Sequence, residues 1–223
     1  MAHLRSFRFG VQLTHPLGDR SWADTARYVE SLGYDSLHLP DHFGDQLAPM
    51  PAMMAAAAAT TTLKVGALVL DNDYKHPVVT AKELATIDVL SAGRVEVGLV
   101  AGWMTSDYDQ SGIPLDPPGV RVSRMEESIA VMKGLFADGS VDFDGDHYQV
   151  TGLEGTPKPA QRPHPPVLIG GGGKRVLSIA AQEADLVGIN PSLKAGVVSP
   201  EAAADATAEA TDRKVGWVRE VAG

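Results

Sequence analysis

Apolar residues along this chain recur at two different spacings, which alternate from one end to the other. Phe7, Phe9, Val11 and Leu13 occupy every second position, which predicts a first β-strand. Between the strand-like runs, apolar residues recur every three or four positions, as in amphipathic helices. The predicted strands are 7–13, 36–40, 64–70, 95–100, 167–169 and 185–189. The predicted helices are 21–32, 51–60, 77–90, 122–136, 175–184 and 199–222.

This alternation of strand and helix predicts an α/β fold with a parallel sheet. Several connections that lead from a strand to a helix are long and rich in Asp, Asn, Gly and Trp, which is typical of a (β/α) barrel. A doubly wound sheet is the alternative, and periodicity does not decide between them. Val141 to Tyr148 predicts a β-hairpin insertion, at about 140–150, that turns at Asp144-Gly145. We interpret residues 1–223 as a single domain.

Four consecutive glycines, Gly170, Gly171, Gly172 and Gly173, separate a short apolar strand from a helix. Backbone N–H groups in such a hinge, together with the positive end of the helix dipole, suit a phosphate or a carboxylate. Lys174 and Arg175 add formal charge at the same place. The spacing fits no dinucleotide or Walker motif, and a flexible turn is the alternative interpretation. We predict an anion site at this hinge.

Polar residues also follow the other predicted strands. Asp41 and His42 close the second strand, where a histidine can act as general acid or base because it titrates near neutrality. The alternative is that Asp41 caps a turn that His42 merely lines. Ala101-Gly102-Trp103 follows the fourth strand, where small residues allow the backbone to approach a flat ligand and Trp103 can form a wall or pack in a lid. No helix carries histidines at metal spacing, so we expect no metal site.

Composition narrows the class of partner. The chain has 223 residues, no cysteine and a formal net charge of −9. The negative charge argues against nucleic acid or an anionic membrane as a partner, although it allows a local cationic pocket. No apolar run is long enough to span a membrane, and the first ten residues lack the apolar stretch of a signal peptide. We therefore expect a cytoplasmic protein with a small-molecule substrate.

Several segments together resemble the luciferase-like monooxygenase superfamily, in particular its actinobacterial branch that uses the deazaflavin coenzyme F-420. The resemblance runs through essentially the whole chain in order. The segments that carry it are Phe9–Gln12, Gly33–His42, Leu63–Pro77, Leu90–Trp103, Tyr148, Gln161–Pro163 and Pro166–Asn190. The resemblance implies a TIM (β/α)8-type barrel with insertions, an F-420-dependent oxidoreductase activity, and hydride transfer between the coenzyme and a small organic substrate.

The resemblance also implies roles for individual residues. Asp41 and His42 would lie beside the hydride-transfer centre as the catalytic residues. A non-proline cis peptide bond is expected around Ala67 to Val69, against one face of the coenzyme ring. Lys174, with Arg175, would meet the coenzyme's phosphate or oligoglutamate tail. The full set of implied coenzyme-binding residues is Asp41, His42, Ala67, Leu68, Asn72, Ala101, Gly102, Trp103, Gly170, Gly171, Gly172, Gly173 and Lys174.

Two features depart from the family pattern. Many relatives have a glycine where this chain has Val100, which adds bulk beside the predicted ring site. The chain also shows six of the eight strand–helix units, so we expect a barrel truncated after the sixth unit, with open edges through which it forms a homo-oligomer. Two other functions stay open: an FMN-dependent luciferase-like monooxygenase, and a non-catalytic flavin- or deazaflavin-binding truncated barrel.

Overall fold

The structure is a computed structural model that describes residues 6–223. The described part of the chain alternates strands and helices almost throughout, as the sequence predicts. The elements are β1 (Gly10–Gln12), α1 (Trp22–Ser31), β2 (Ser36–Leu39), α2 (Pro49–Ala59), β3 (Lys64–Ala67), β4 (Leu70–Asp71), a 3-10 helix (Asn72–Tyr74), α3 (Pro77–Leu90), β5 (Val95–Val100), α4 (Thr105–Ser111), α5 (Pro118–Phe136), β6 (Val141–Asp144), β7 (Gln149–Leu153), β8 (Val167–Gly171), α6 (Lys174–Glu183), β9 (Leu186–Ile189), α7 (Pro200–Ala204) and α8 (Ala208–Ala222).

The main sheet is parallel, and its strands follow the order β1-β2-β3-β5-β8-β9, with β4 paired to β5. Neighbours in the sheet are therefore also successive strands of the sheet along the chain. A doubly wound sheet reverses its strand order at a switch point, whereas a barrel does not. The observed order excludes the doubly wound alternative and agrees with the barrel-type fold. The β6–β7 hairpin is antiparallel and separate, as predicted.

The two faces of the main sheet differ sharply in chemistry. Leu37, Val65 and Val97 lie on the face that helices cover, and each is fully buried in the hydrophobic core. The opposite face carries polar side chains and glycines, since the register places His38 beside Gly66. Apolar burial against the helices therefore stabilises the sheet, while the other face carries the His38 imidazole and Gly66 side by side.

Some boundaries differ from the predictions for identifiable reasons. The third predicted strand, 64–70, divides into β3 and β4 at Leu68–Val69, whose peptide bond is cis where the resemblance predicted one. The first strand is shorter than predicted. The predicted helix 199–222 is two helices, because Asp205 ends α7 and the Thr207 side chain caps α8 by accepting a hydrogen bond from the Ala210 N–H.

β1 and β9 lie at the edges of the described sheet, each with one paired neighbour. Phe9 precedes β1 and is 66% exposed, so apolar surface remains at this edge. The expected self-association through such edges stays a prediction, which sedimentation velocity would test. Among residues 6–223, no helix is both long enough and apolar enough to cross a membrane.

Candidate functional site

The predicted site residues gather at one edge of the sheet. Asp41 and His42 follow β2, Ala101 to Trp103 follow β5, and Gly170 to Gly173 end β8 and lead into α6. All these strands are parallel, so their carboxyl ends lie at the same edge. The structure therefore places His42 and Gly171 on the same side of the molecule, as the sequence interpretation requires.

A cavity of about 560 Å³ opens at this edge. One part of its wall is apolar, with Val69 and Val100 among its residues. Ala101 to Trp103 and the glycines Gly170 to Gly173 form further parts of the wall. The segment Pro191–Gly196, which follows β9, borders the same cavity. The volume lies within the range of about 300–1,000 Å³ that is typical of small-molecule and cofactor sites.

Close backbone approaches explain two of the glycines in this wall. A Cβ atom on Gly172 would lie 2.5 Å from the Pro191 carbonyl oxygen, so a side chain there would force the two loops apart. Gly102 has φ +81°, a conformation that favours glycine, and a Cβ atom there would overlap the Tyr108 hydroxyl. Glycine at these positions lets the loops after β5, β8 and β9 meet around one cavity.

His42 is held by a buried carboxylate that sequence reasoning missed. Its Nδ1 lies 2.7 Å from Oδ2 of Asp107, a buried residue of α4. The Tyr74 hydroxyl donates to the same oxygen at 2.9 Å, and the Phe43 N–H donates to the other oxygen. An ionised carboxylate only accepts hydrogen bonds, so in the neutral imidazole this contact favours the tautomer with the proton on Nδ1 and the lone pair on Nε2.

Trp103 connects this histidine to the cavity. The two rings are perpendicular, with centroids 5.5 Å apart, and Trp103 borders the cavity. Nε2 of His42 has no hydrogen-bond partner among residues 6–223, and the side chain is partly exposed. His42 is therefore oriented through one ring nitrogen and free at the other, the arrangement that a general acid or base requires.

Asp41 contributes to a neighbouring pocket rather than to the large cavity. It accepts a hydrogen bond from the Asp71 N–H at 3.1 Å, and both residues border a second cavity of about 200 Å³. Burial raises the pKa of Asp41, and it raises the pKa of Asp71 to about 7. Asn72 borders the same pocket and donates to the Tyr148 hydroxyl at 3.3 Å.

Four of the predicted coenzyme-binding residues border neither cavity in the described structure: His42, Ala67, Leu68 and Lys174. Lys174 pairs with Glu220 at 3.4 Å on the protein surface, where both side chains are exposed. Ala67 is buried in the core, and Leu68 is partly exposed beside Gln12, which donates to its carbonyl. Contact of these residues with a coenzyme stays a prediction, and for Lys174 the observed ion pair would have to open.

Known proteins identify the family of this chain. The sequence model of luciferase-like monooxygenases matches residues 2–221, so the chain belongs to that family. One relative is an FMNH(2)-dependent dimethylsulfone monooxygenase of Pseudomonas putida, 37% identical over 59% of this chain and 36% of its own length. Another is an F420-dependent glucose-6-phosphate dehydrogenase of Amycolatopsis mediterranei, 30% identical over 75% of this chain and 52% of its own length.

Solved structures confirm the barrel-type fold. An F420-dependent secondary alcohol dehydrogenase in complex with an F420-acetone adduct has a TM-score of 0.75 and 21% identity, and the match covers 96% of this chain and 64% of that one. A riboflavin lyase structure has a TM-score of 0.80 at 16% identity and covers 98% and 59% of the two chains. The described sheet is thus a curled, partial form of the luciferase-like barrel. The chain spans about half the length of the curated relatives it matches.

The raised pKa of Asp71 predicts a pH-dependent stability. An unfolded aspartate releases its proton near pH 3.8, whereas the folded protein retains it up to about pH 7. The folded state binds more protons in this window, so Asp71 makes the protein less stable as pH rises through it. Asp71→Asn keeps an acceptor for the Asp73 N–H and removes the charge.

We therefore expect the free energy of unfolding of Asp71→Asn, relative to the natural protein, to rise by about 1–3 kcal/mol between pH 4 and pH 8. Urea unfolding at both pH values measures this difference. An equal difference in unfolding free energy between Asp71→Asn and the natural protein at pH 4 and pH 8 would contradict the raised pKa of Asp71. Asp109→Asn, which changes an exposed carboxylate on α4, serves as the control.

Proposed function

We propose that this chain is the coenzyme-binding part of an F-420-dependent oxidoreductase that transfers a hydride between the coenzyme and a small organic substrate. The observation that carries the proposal is the His42–Asp107 pair, whose histidine contacts Trp103 in the cavity wall. It unites an acid/base group with a binding space at the carboxyl edge of a barrel-type sheet, where such enzymes carry their active sites.

The cavity suits a flat redox coenzyme in size and in surface. Val69 and Val100 offer an apolar surface, while Gly170 to Gly173 and Ala101-Gly102 allow a ligand to approach the backbone closely. The α6 N-terminus borders the cavity through Gly173 and suits a phosphate. When bound, the coenzyme would supply the hydride chemistry, and the protein would supply binding, orientation and exclusion of water.

His42 would handle the proton that accompanies hydride transfer. Asp107 fixes the ring and its tautomer, and Nε2 is available to take a proton from a substrate hydroxyl or to return one to a carbonyl. Tyr74 and the Phe43 N–H hold Asp107 in turn, so the histidine is positioned by a connected set of hydrogen bonds centred on a buried carboxylate. Asp41, predicted as a second catalytic residue, would act from the neighbouring pocket.

FMN is the alternative coenzyme, because the P. putida relative is named as FMNH(2)-dependent. The match to the F420-dependent A. mediterranei relative extends over more of this chain, 75% against 59%. This broader match and the resemblance in the motifs support F-420, while a non-catalytic binding protein is the second alternative.

Separate titrations with F-420 and with FMN test the choice of coenzyme. We expect the absorbance and fluorescence of F-420 to change on binding, with an affinity at least about tenfold tighter than that for FMN, a difference of about 1.4 kcal/mol. Tight binding of FMN with an oxygen-reactive reduced form would instead establish the monooxygenase. Binding of neither coenzyme would overturn the proposal.

Substitution of His42 tests its assigned role. His42→Ala should leave coenzyme affinity within about twofold and lower turnover by about 10²–10⁴-fold, the usual loss for an acid/base group. Asp107→Asn should lower turnover by about 10–100-fold, because an amide no longer fixes the Nδ1–H tautomer. Asp109→Asn on the same helix should match the natural protein. Full turnover in His42→Ala would show that the proton travels elsewhere.

A further inference from the structure

Arg121 is a buried cation at the edge of the large cavity. It lies near the start of α5, is 8% exposed, and borders the 560 Å³ space. Its Nε donates to the Asp116 carbonyl at 2.9 Å. Its Nη1 donates to the carbonyls of Ala101 and Gly102, in the turn that forms part of the cavity wall. The guanidinium group is thus fixed in place from two sides.

This guanidinium group has no acidic partner. None of the ion pairs among residues 6–223 includes Arg121, and its Nη2 has no hydrogen-bond partner there. A buried charge is costly unless it is paired, and carbonyl oxygens compensate it only in part. The guanidinium carbon also lies 5.9 Å from the centroid of the Tyr108 ring, and Nη2 leaves two N–H donors of a charged group for a ligand in the cavity.

Two other charged residues border the cavity and affect its net charge. Lys194, from the segment after β9, is a second cation on the wall, and it is exposed. Asp116 also borders the cavity, but its carboxylate is bound by Arg124. The wall therefore carries an excess of positive charge although the whole chain has a net charge of −9. Such a local excess indicates selection for an anionic group on the ligand.

We propose that the cavity contains an oxyanion subsite at Arg121, with Lys194 in support, that binds a phosphate, sulfonate or carboxylate group. The sequence assigned the charge at this site to Lys174 and Arg175, but Lys174 pairs with Glu220 and Arg175 donates to the Gly119 carbonyl. Arg121, unlike these two residues, borders the cavity. The subsite rests on the proposed function in one respect: the anion that it binds is a group of the coenzyme or of the enzyme's substrate.

Inorganic phosphate is the probe for this subsite, because its binding can be measured without any redox activity. We expect phosphate at low ionic strength to bind the natural protein, measured by calorimetry and by the rise in melting temperature. Arg121→Met should weaken this binding about tenfold, the value of one lost charge-assisted contact. Arg175→Met removes an exposed guanidinium that does not border the cavity, and it should stay within about twofold. Equal phosphate affinity in Arg121→Met and the natural protein would overturn the subsite.

Two further variants cover the case in which Arg121→Met does not fold, since it loses three backbone hydrogen bonds. Arg121→Lys keeps the charge but lacks the fork, so phosphate should bind about tenfold more weakly. Lys194→Met changes an exposed side chain and should weaken phosphate about two- to threefold. Unchanged affinity in both of these variants would equally overturn the proposal.

Pairs of ligands that differ in their phosphate group show whether the anion belongs to the coenzyme or to the substrate. If Arg121 binds the coenzyme phosphate, Arg121→Lys should weaken FMN relative to riboflavin, and F-420 relative to its phosphate-free deazaflavin, by about tenfold. If it binds a substrate acid group, phosphate binding should depend on Arg121 while both ratios stay unchanged. Either result supports the subsite. If phosphate binding depends on Arg121 but no coenzyme binds, only the proposed function is rejected. If a coenzyme binds but phosphate binding does not depend on Arg121, only the subsite is rejected.

Discussion

Parallel pairing in chain order is the constraint on which the rest of this structure depends. The strands β1, β2, β3, β5, β8 and β9 are neighbours in that order, so each strand–loop–helix unit brings its loop to the same edge. Residues as distant in sequence as Asp41 and Gly173 become parts of one region for this reason alone. Helices cover one face of the sheet with apolar contacts, and this leaves the carboxyl edge free to carry polar groups.

Within that region, hydrogen bonds between different strand–helix units fix the positions of the site residues. Asp107 reaches back from α4 to His42 at the end of β2, and Arg121 reaches back from α5 to the Ala101-Gly102 turn. Each contact connects one strand–helix unit to an earlier one. The site therefore depends on packing between units, and the side chains that hold it are buried although the cavity itself is open.

The sequence predicted those parts of the site that local patterns determine. The end of an apolar run located Asp41-His42, and the strand–glycine–helix pattern located Gly170 to Gly173, because both signals lie within a few residues. The Asp107 contact is different, since Asp107 lies 65 residues after His42 in the sequence. It also lies on a short helix, which the sequence interpretation treated as a loop. The Lys174–Glu220 ion pair is also invisible in the sequence, because Glu220 lies on a helix that packs on α6 and the sequence gives no sign of that packing.

In the proposed function, a flat redox coenzyme enters the cavity bordered by Trp103. Tryptophan emission measures this directly, since Trp22 and Trp217 do not border the cavity. We predict that F-420 quenches the emission of the natural protein, that Trp103→Phe loses most of this quenching while coenzyme fluorescence still reports binding, and that Trp217→Phe retains it. Equal quenching in Trp103→Phe and the natural protein would show that the coenzyme binds elsewhere.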